Sequence, residues 1–174
     1  MTCANCGASM RLDRGKDLLV CDYCRTEAVP PICEDGVQIV GESKYACPIC
    51  TGHMLSGGLV EGEPLFYCQK CRGMLVAIDK FLPLIETLRA MRDRPAQYLS
   101  RRSDRDAERG LACPLCSKKM IGHPYGGPGN VNLDTCEPCG QLWLDSSELQ
   151  RIVVAADPVP IYSRYDPDRE LEPR

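Results

Sequence analysis

Residues 111–150 read LACPLCSKKMIGHPYGGPGNVNLDTCEPCGQLWLDSSELQ and contain two C-x-x-C pairs with 19 residues between them. A two-residue spacing lets a tight turn direct two thiolates at one ion, and a hairpin between the pairs returns the chain to supply two more. Zinc sites with four cysteines have this pattern, with about 15–20 residues between the pairs. The segment therefore predicts a zinc ribbon, which is a short antiparallel hairpin closed by a metal ion.

The same pattern occurs three times along the chain. Twelve of the 13 cysteines form six C-x-x-C pairs, and the other two sets have 14 and 17 residues between their pairs. Each set also has a methionine four residues after its second cysteine, at Met10, Met54 and Met120. Three occurrences indicate a tandem repeat and predict three bound zinc ions. The predicted ligands are Cys3, Cys6, Cys21, Cys24, Cys47, Cys50, Cys68, Cys71, Cys113, Cys116, Cys136 and Cys139.

The chain begins without an apolar signal sequence and has no apolar run near the roughly 20 residues that span a bilayer. We therefore expect a cytoplasmic protein that makes no contact with membranes. A reducing compartment disfavours disulfides, and the thioredoxin-like context of a redox C-x-x-C is absent. An iron–sulfur cluster or another thiophilic metal is the alternative to zinc. Paired C-x-x-C turns, which we call knuckles, on either side of a hairpin favour zinc. Cys33, the unpaired cysteine, is expected to be a free thiol, and His53 and His123 are expected to be loop residues.

Composition limits the size of the hydrophobic core. The 174 residues include one Trp and two Phe, and Gly and Pro interrupt the chain at 29 positions. Small units of this kind need a second stabiliser, which bound metal supplies. We predict a small metal-stabilised α+β fold. Its segments are ribbon one (1–27), a connector (28–44), ribbon two (45–78), a helical Arg-rich linker (79–110), ribbon three with a C-terminal helix (111–156) and an extended or disordered tail (157–174).

Two helices are predicted to follow ribbons two and three. An apolar stripe at helical spacing after ribbon two is expected to pack on that ribbon, with a dimer or partner surface as the alternative. Pro83 is expected near the start of this helix. After ribbon three, Asp145 is predicted as the N-cap and Glu148 as its capping-box partner. The two apolar faces are Phe81, Leu84, Ile85, Leu88 and Met91, and Leu149, Ile152, Val153 and Ala156.

A further helix is predicted over 96–109, stopped by Gly110. One face of it carries aromatic and basic side chains, which are Tyr98, Arg101, Arg102, Arg105 and Arg109. This face is a candidate docking surface for an acidic partner or phosphate, and a solvated helix with internal ion pairs is the alternative.

The second half of the third set, DTCEPCGQLWLDSSEL over 134–149, carries a family resemblance. It resembles the CPxCGGxWLDxGEL-like signature of the transcription factor IIB-type zinc ribbon family found in small bacterial proteins. The chain departs from that pattern at Glu137, Gln141 and Ser147. The second set resembles a diverged copy, and the first matches only a generic zinc ribbon. The resemblance implies zinc binding by each set of four cysteines and does not imply a role in transcription.

Charge separates the functional classes. The formal net charge is −3, and each zinc bound by four thiolates lowers it by two, to roughly −9 for three sites. A nucleic-acid-binding domain usually has a pI above about 9, whereas the value here is about 5.5. Four-cysteine sites are also closed to substrate and water, which predicts no enzyme activity. We therefore expect an adaptor that binds another protein, with nucleic-acid binding as the alternative and the oligomeric state open.

Overall fold

The computed structural model describes residues 1–13, 15–16, 18–99 and 109–157. In these residues the chain forms two antiparallel sheets and two α-helices. The first sheet has the order β1-β2-β3. Its strands are β1 (Met10–Asp13), β2 (Leu18–Cys21) and β3 (Glu27–Ala28), all from the first four-cysteine segment.

The second sheet has seven strands in the order β4-β5-β6-β7-β10-β9-β8 and includes both remaining four-cysteine segments. We call the three segments modules one (1–27), two (45–78) and three (111–156). Modules two and three are joined within this sheet by their last strands, β7 and β10. The strands are β4 (Gln38–Ala46), β5 (Met54–Val60), β6 (Glu63–Tyr67), β7 (Met74–Ala77), β8 (Ile121–Pro124), β9 (Asn132–Cys136) and β10 (Gln141–Leu144).

Equivalent residues of modules two and three face each other across the β7–β10 pair. Leu75 and Trp143 each lie four residues after the last cysteine of their module, and they are directly opposite. On either side, Met74 pairs with Leu144 and Val76 pairs with Leu142. The strand pairing at this junction is therefore approximately two-fold symmetric about Leu75 and Trp143.

The seven-stranded sheet separates two hydrophobic cores, because successive side chains of a strand point to opposite faces. One face packs against α1 (Ile78–Ala90) and α2 (Glu148–Val154), and we call this the helix-side core. The other face packs the cysteine pairs of modules two and three around Leu75 and Trp143, and we call this the cysteine-side core. The helix-side core includes Met74, Val76, Phe81, Leu84, Leu142, Leu144, Leu149 and Ile152.

Helix α1 begins earlier than its proline suggests. Pro83 is its sixth residue, not its first. Phe81, Leu84 and Ile85 are buried in the helix-side core, and Leu88 packs against them. Met91 lies beyond the last residue of the helix and is 61% exposed, so it does not continue the buried face.

Helix α2 begins at Glu148, and its N-cap is Ser147 rather than Asp145. The Glu148 carboxylate accepts a hydrogen bond of 2.6 Å from the backbone N–H of Asp145, as the predicted capping box requires, but Asp145 lies two residues before the observed N-cap. The Asp145 side chain instead accepts from the Trp143 indole N–H at 2.9 Å. Ala156 lies outside the helix, and Ala155 is the buried alanine.

The connector between modules one and two supplies the long edge strand β4, which pairs with β5. The turn before β4 contains Asp35. The Asp35 carboxylate accepts hydrogen bonds from Arg72 Nε at 2.8 Å and from the Tyr67 hydroxyl at 2.7 Å. The bond from Arg72 lowers the pKa of Asp35. The connector is thus attached to the second knuckle of module two.

The helix predicted from Ala96 does not begin there. Gln97 forms a parallel bridge with Ala155, and its N–H donates to the Val154 carbonyl at 2.9 Å. Arg101, Arg102 and Arg105 lie outside the described residues, as does the predicted tail after Asp157.

Candidate metal centres

Each set of four cysteines converges on one point. Within every set, the four sulfur atoms lie within 4.8 Å of one another. The sulfur–sulfur distances between the two pairs include 3.4 Å for Cys6 and Cys21 and 3.6 Å for Cys47 and Cys71. Tetrahedral zinc with bonds of about 2.3 Å to sulfur places its ligands roughly 3.8 Å apart. The predicted ligand sets are therefore brought together, and their geometry fits a four-coordinate ion.

The turn at the second pair of each set ends in the same backbone conformation in all three modules. A residue in the left-handed region follows the last cysteine, at Arg25 (φ 63°), Arg72 (φ 61°) and Gly140 (φ 59°). The N–H of Arg72 donates to the Cys68 carbonyl at 2.7 Å, and Arg25 makes the same bond to Cys21 at 3.2 Å. This turn directs both thiols of the pair to the same side.

The first knuckle of module two contains one more residue than its counterparts. The N–H groups of Cys3 and Cys113 donate to carbonyls five residues ahead, whereas that of Cys47 donates six ahead, to His53. As a result Leu55, not Met54, occupies the position of Met120, and both Leu55 and Met120 are 1% exposed. Met54 is 52% exposed. The methionine spacing is therefore equivalent in modules one and three but not in module two.

Backbone and hydroxyl donors surround the sulfurs. The N–H of Cys50 donates to Cys47 Sγ at 3.2 Å, and that of Ile49 donates at 3.4 Å. The hydroxyl of Thr26 lowers the pKa of the Cys24 thiol to about 5. Donors of this kind stabilise thiolates, which are the form that binds zinc.

Other thiols of the same sets hold their protons more firmly in the absence of an ion. A hydrogen bond with Cys116 raises the pKa of Cys139 to about 12, and burial raises the pKa of Cys71. Binding of zinc must displace these protons, so metal affinity is expected to fall as the pH decreases.

Trp143 lies at the centre of the cysteine-side core and is fully buried. Its ring covers Gly73 of module two, where an added Cβ would lie 2.1 Å from Cζ2. Trp143 therefore packs against module two as well as its own module. It fills the space between the two modules.

Arg109 is engaged within the protein. It donates to the buried carboxylate of Asp134 at 2.7 Å and is also paired with Asp145. Although burial opposes it, these two carboxylates raise the pKa of Arg109. Of the predicted partner-binding face, Arg109 thus lies in an internal ion-pair network, whereas Tyr98 is 83% exposed.

The remaining candidates lie apart from the clusters. Cys33 is a free, partly buried thiol that packs against the helix-side core, and burial raises its pKa. His53 is exposed, and His123 Nε2 lies 2.8 Å from the Thr135 hydroxyl. Neither histidine belongs to a cysteine set.

Two glycine-containing segments, 57–64 and 125–132, form defined structure. Within 57–64 the chain forms a β-hairpin whose turn is Glu61–Gly62, both in the left-handed region, and β5 is largely buried. In 125–132, the Tyr125 ring packs edge-to-face on Phe81 at 5.5 Å, and Val131 is buried.

Comparison with protein-family models, curated proteins and solved structures found no match to this chain. Among the described helices, neither α1 nor α2 has the length and apolar character needed to cross a bilayer. The cysteine geometry is therefore the observation from which function is argued.

Proposed function

We propose that this protein is a non-catalytic adaptor built on three structural zinc ribbons of the transcription factor IIB type. The observation that carries the proposal is the convergence of four cysteine sulfurs in each module. Four thiolates fill the coordination sphere of zinc, and such closed sites stabilise a fold rather than activate water. A structural zinc ion contributes on the order of 10 kcal/mol to folding, which compensates for small cores.

Within each module, zinc would be held by the two knuckles and would close the hairpin between them. The backbone N–H donors to Cys47 offset part of the thiolate charge. The ribbons then serve as rigid supports for surfaces that contact a partner. An exposed apolar pair on the outer side of α1, Ile78 (41% exposed) and Leu82 (56% exposed), supports binding of another protein.

Nucleic-acid binding has less support. The charge of Arg109 is balanced by two carboxylates, and the formal net charge of the chain is −3. A basic footprint is what binding to phosphate requires.

Elemental analysis of the purified protein tests the metal assignment. We expect three zinc ions per chain, released by denaturation and by acid. One ion or none would contradict the proposal, and iron with charge-transfer absorbance would assign the sites to iron–sulfur clusters.

Affinity capture followed by binding measurements with the purified partner tests the adaptor role. The variant Ile78→Ser/Leu82→Ser should retain three zinc ions and lose partner binding. Glu86→Ala, an exposed change on the same helix, is the matched control and should bind as the original protein does. Equal binding by all three proteins would exclude this face.

A further inference from the structure

The three candidate centres differ in their surroundings. In modules two and three, four cysteines are buried in a single apolar core, the cysteine-side core, together with Leu75 and Trp143. The other four cysteines of these modules pack against the same core. Two ligand sets thus share one group of packed side chains, and that group is contiguous from one site to the other.

The junction between these modules depends on both of them. Trp143 belongs to module three, but its indole rests on Gly73, two residues after the module-two ligand Cys71. Directly across the strand pair it faces Leu75, which is fully buried. Loss of the knuckle at Cys71 would remove the surface on which Trp143 packs, and loss of module three would expose Leu75.

Module one is built separately. Neither of the two cores contains a described residue from 1–28, and among the described residues the strands of module one pair only with each other. Leu12 borders an open space of about 500 Å³ whose other walls include Gly57, Phe66 and Ala77 on the large sheet. Module one is therefore not close-packed against the sheet at this contact.

The ligands of module one are also more accessible. Cys6 is exposed, whereas each of the other sets has two buried and two partly buried cysteines. Zinc leaves a thiolate site by ligand exchange, in which an incoming donor binds the ion as a cysteine departs. An exposed ligand permits that attack without opening the fold.

We propose that the centres of modules two and three bind and release zinc as a cooperative pair, whereas the centre of module one exchanges zinc independently with acceptors in solution. This inference rests on the proposed zinc-binding function. Its physical basis is a coupling free energy carried by packing that both sites need, and such coupling is reciprocal. Module one is then the centre that equilibrates fastest with zinc in solution.

Release kinetics of the full chain test the proposal. The protein loaded with three zinc ions is mixed with excess chromogenic chelator, and metal release is followed together with the emission of Trp143, the single tryptophan. We expect one ion to leave at least tenfold faster than the others, without a change in emission. The remaining two should leave in one phase that coincides with a red shift.

Ligand variants locate the ions. Cys6→Ser should retain two zinc ions and lose the fast phase, with unchanged emission. Cys50→Ser removes a ligand from module two only, yet it should weaken zinc binding in module three at least tenfold, and Cys116→Ser should do the reverse. If Cys50→Ser bound zinc in module three as tightly as the original protein does, the coupling would be overturned.

A ligand variant could lose zinc because it fails to fold, so a further variant keeps all 12 ligands. Gly73→Ala disturbs the contact with Trp143 and should accelerate release of the paired ions several-fold while the fast phase is unchanged. Equal acceleration of all three ions would overturn the proposal. One zinc ion or none in the original protein would instead contradict the zinc assignment itself.

Discussion

Gly73 lies directly beneath the indole of Trp143, and no larger residue fits there without movement. An added Cβ would approach the ring to 2.1 Å, far inside the contact distance of two carbons. Two residues along the chain, Leu75 faces the same indole across the strand pair. The contact between modules two and three is thus decided by a few side chains on the cysteine side of the sheet.

Gly73→Ala is expected to lower the free energy of unfolding of zinc-loaded protein by about 1–3 kcal/mol, the usual range for overpacking a core. The measurement is denaturant unfolding at a fixed free zinc concentration. Gly57→Ala is the matched control, because its nearest heavy atoms are 3.8 Å away. That control should be neutral or stabilising by up to about 1 kcal/mol, and equal losses in both variants would contradict the proposed clash.

Arg109→Met is expected to destabilise the protein by about 3–5 kcal/mol, because it leaves the 2%-exposed Asp134 without its cation. Addition of Asp134→Asn should restore part of the loss by removing the buried charge. Arg11→Met breaks the half-exposed pair with Asp22 and should cost less than about 1 kcal/mol. A similar effect of Arg11→Met and Arg109→Met on the thermal midpoint would argue against the burial argument.

At the scale of elements, residues close in sequence determine the turn at the second C-x-x-C pair of each module and the stability of helix α1. The left-handed residue after the last cysteine recurs at Arg25, Arg72 and Gly140. At Arg25 and Arg72 this conformation lets the backbone N–H donate back to the carbonyl of the first cysteine of the pair, which closes the turn. Helix α1 tolerates Pro83 because its apolar face supplies the stabilisation, although Pro83 removes one intrahelical donor.

Pro83→Ala is expected to stabilise the zinc-loaded protein by about 1–3 kcal/mol, since the exposed residue regains an N–H that can donate to the Asp79 carbonyl. Glu86→Ala, also exposed on α1, should change stability by less than about 0.5 kcal/mol. Thermal unfolding at fixed free zinc measures both effects. A lower midpoint for Pro83→Ala would show that the proline ring makes a contact that outweighs the lost hydrogen bond.

At the scale of the whole molecule, the seven-stranded sheet combines modules two and three, whereas module one forms a separate three-stranded sheet. Helices α1 and α2 cover one face, and both are tied together by Arg89, whose guanidinium donates to the Ile152 carbonyl at 2.9 Å and the Ala155 carbonyl at 3.0 Å. The opposite face carries two cysteine sets around one tryptophan. The larger unit therefore has two cores and two candidate metal centres.

The free energy of unfolding, followed by Trp143 emission, should rise by about 2.7 kcal/mol for each tenfold rise in free zinc. Two ions are released with the unit that surrounds Trp143, and each contributes about 1.4 kcal/mol per decade. Zinc-buffered denaturant titrations measure this slope. Cys6→Ser should give the same value, and a slope of about 1.4 kcal/mol would show that only one ion is linked to this unit.

Local patterns predicted the ligand sets and the buried residues of α1. The C-x-x-C spacing acts over a single turn, so it brings together Cys113 and Cys116 without reference to distant residues. The helical period of Phe81, Leu84 and Ile85 likewise depends on neighbours one turn apart. The resemblance to a family signature predicted zinc ribbons, and that assignment stays a proposal.

The partners of those local units were decided only by the tertiary structure. The pairing of β7 with β10, the placement of Trp143 over Gly73 and the capture of Arg109 by Asp134 and Asp145 join residues more than 20 positions apart. The one-residue insertion in the first knuckle of module two also escaped a count from its cysteines, and it exchanged the places of Met54 and Leu55. Residue spacing predicts contacts within one turn of the chain. Contacts between modules depend instead on which apolar faces fit together once each hairpin has formed.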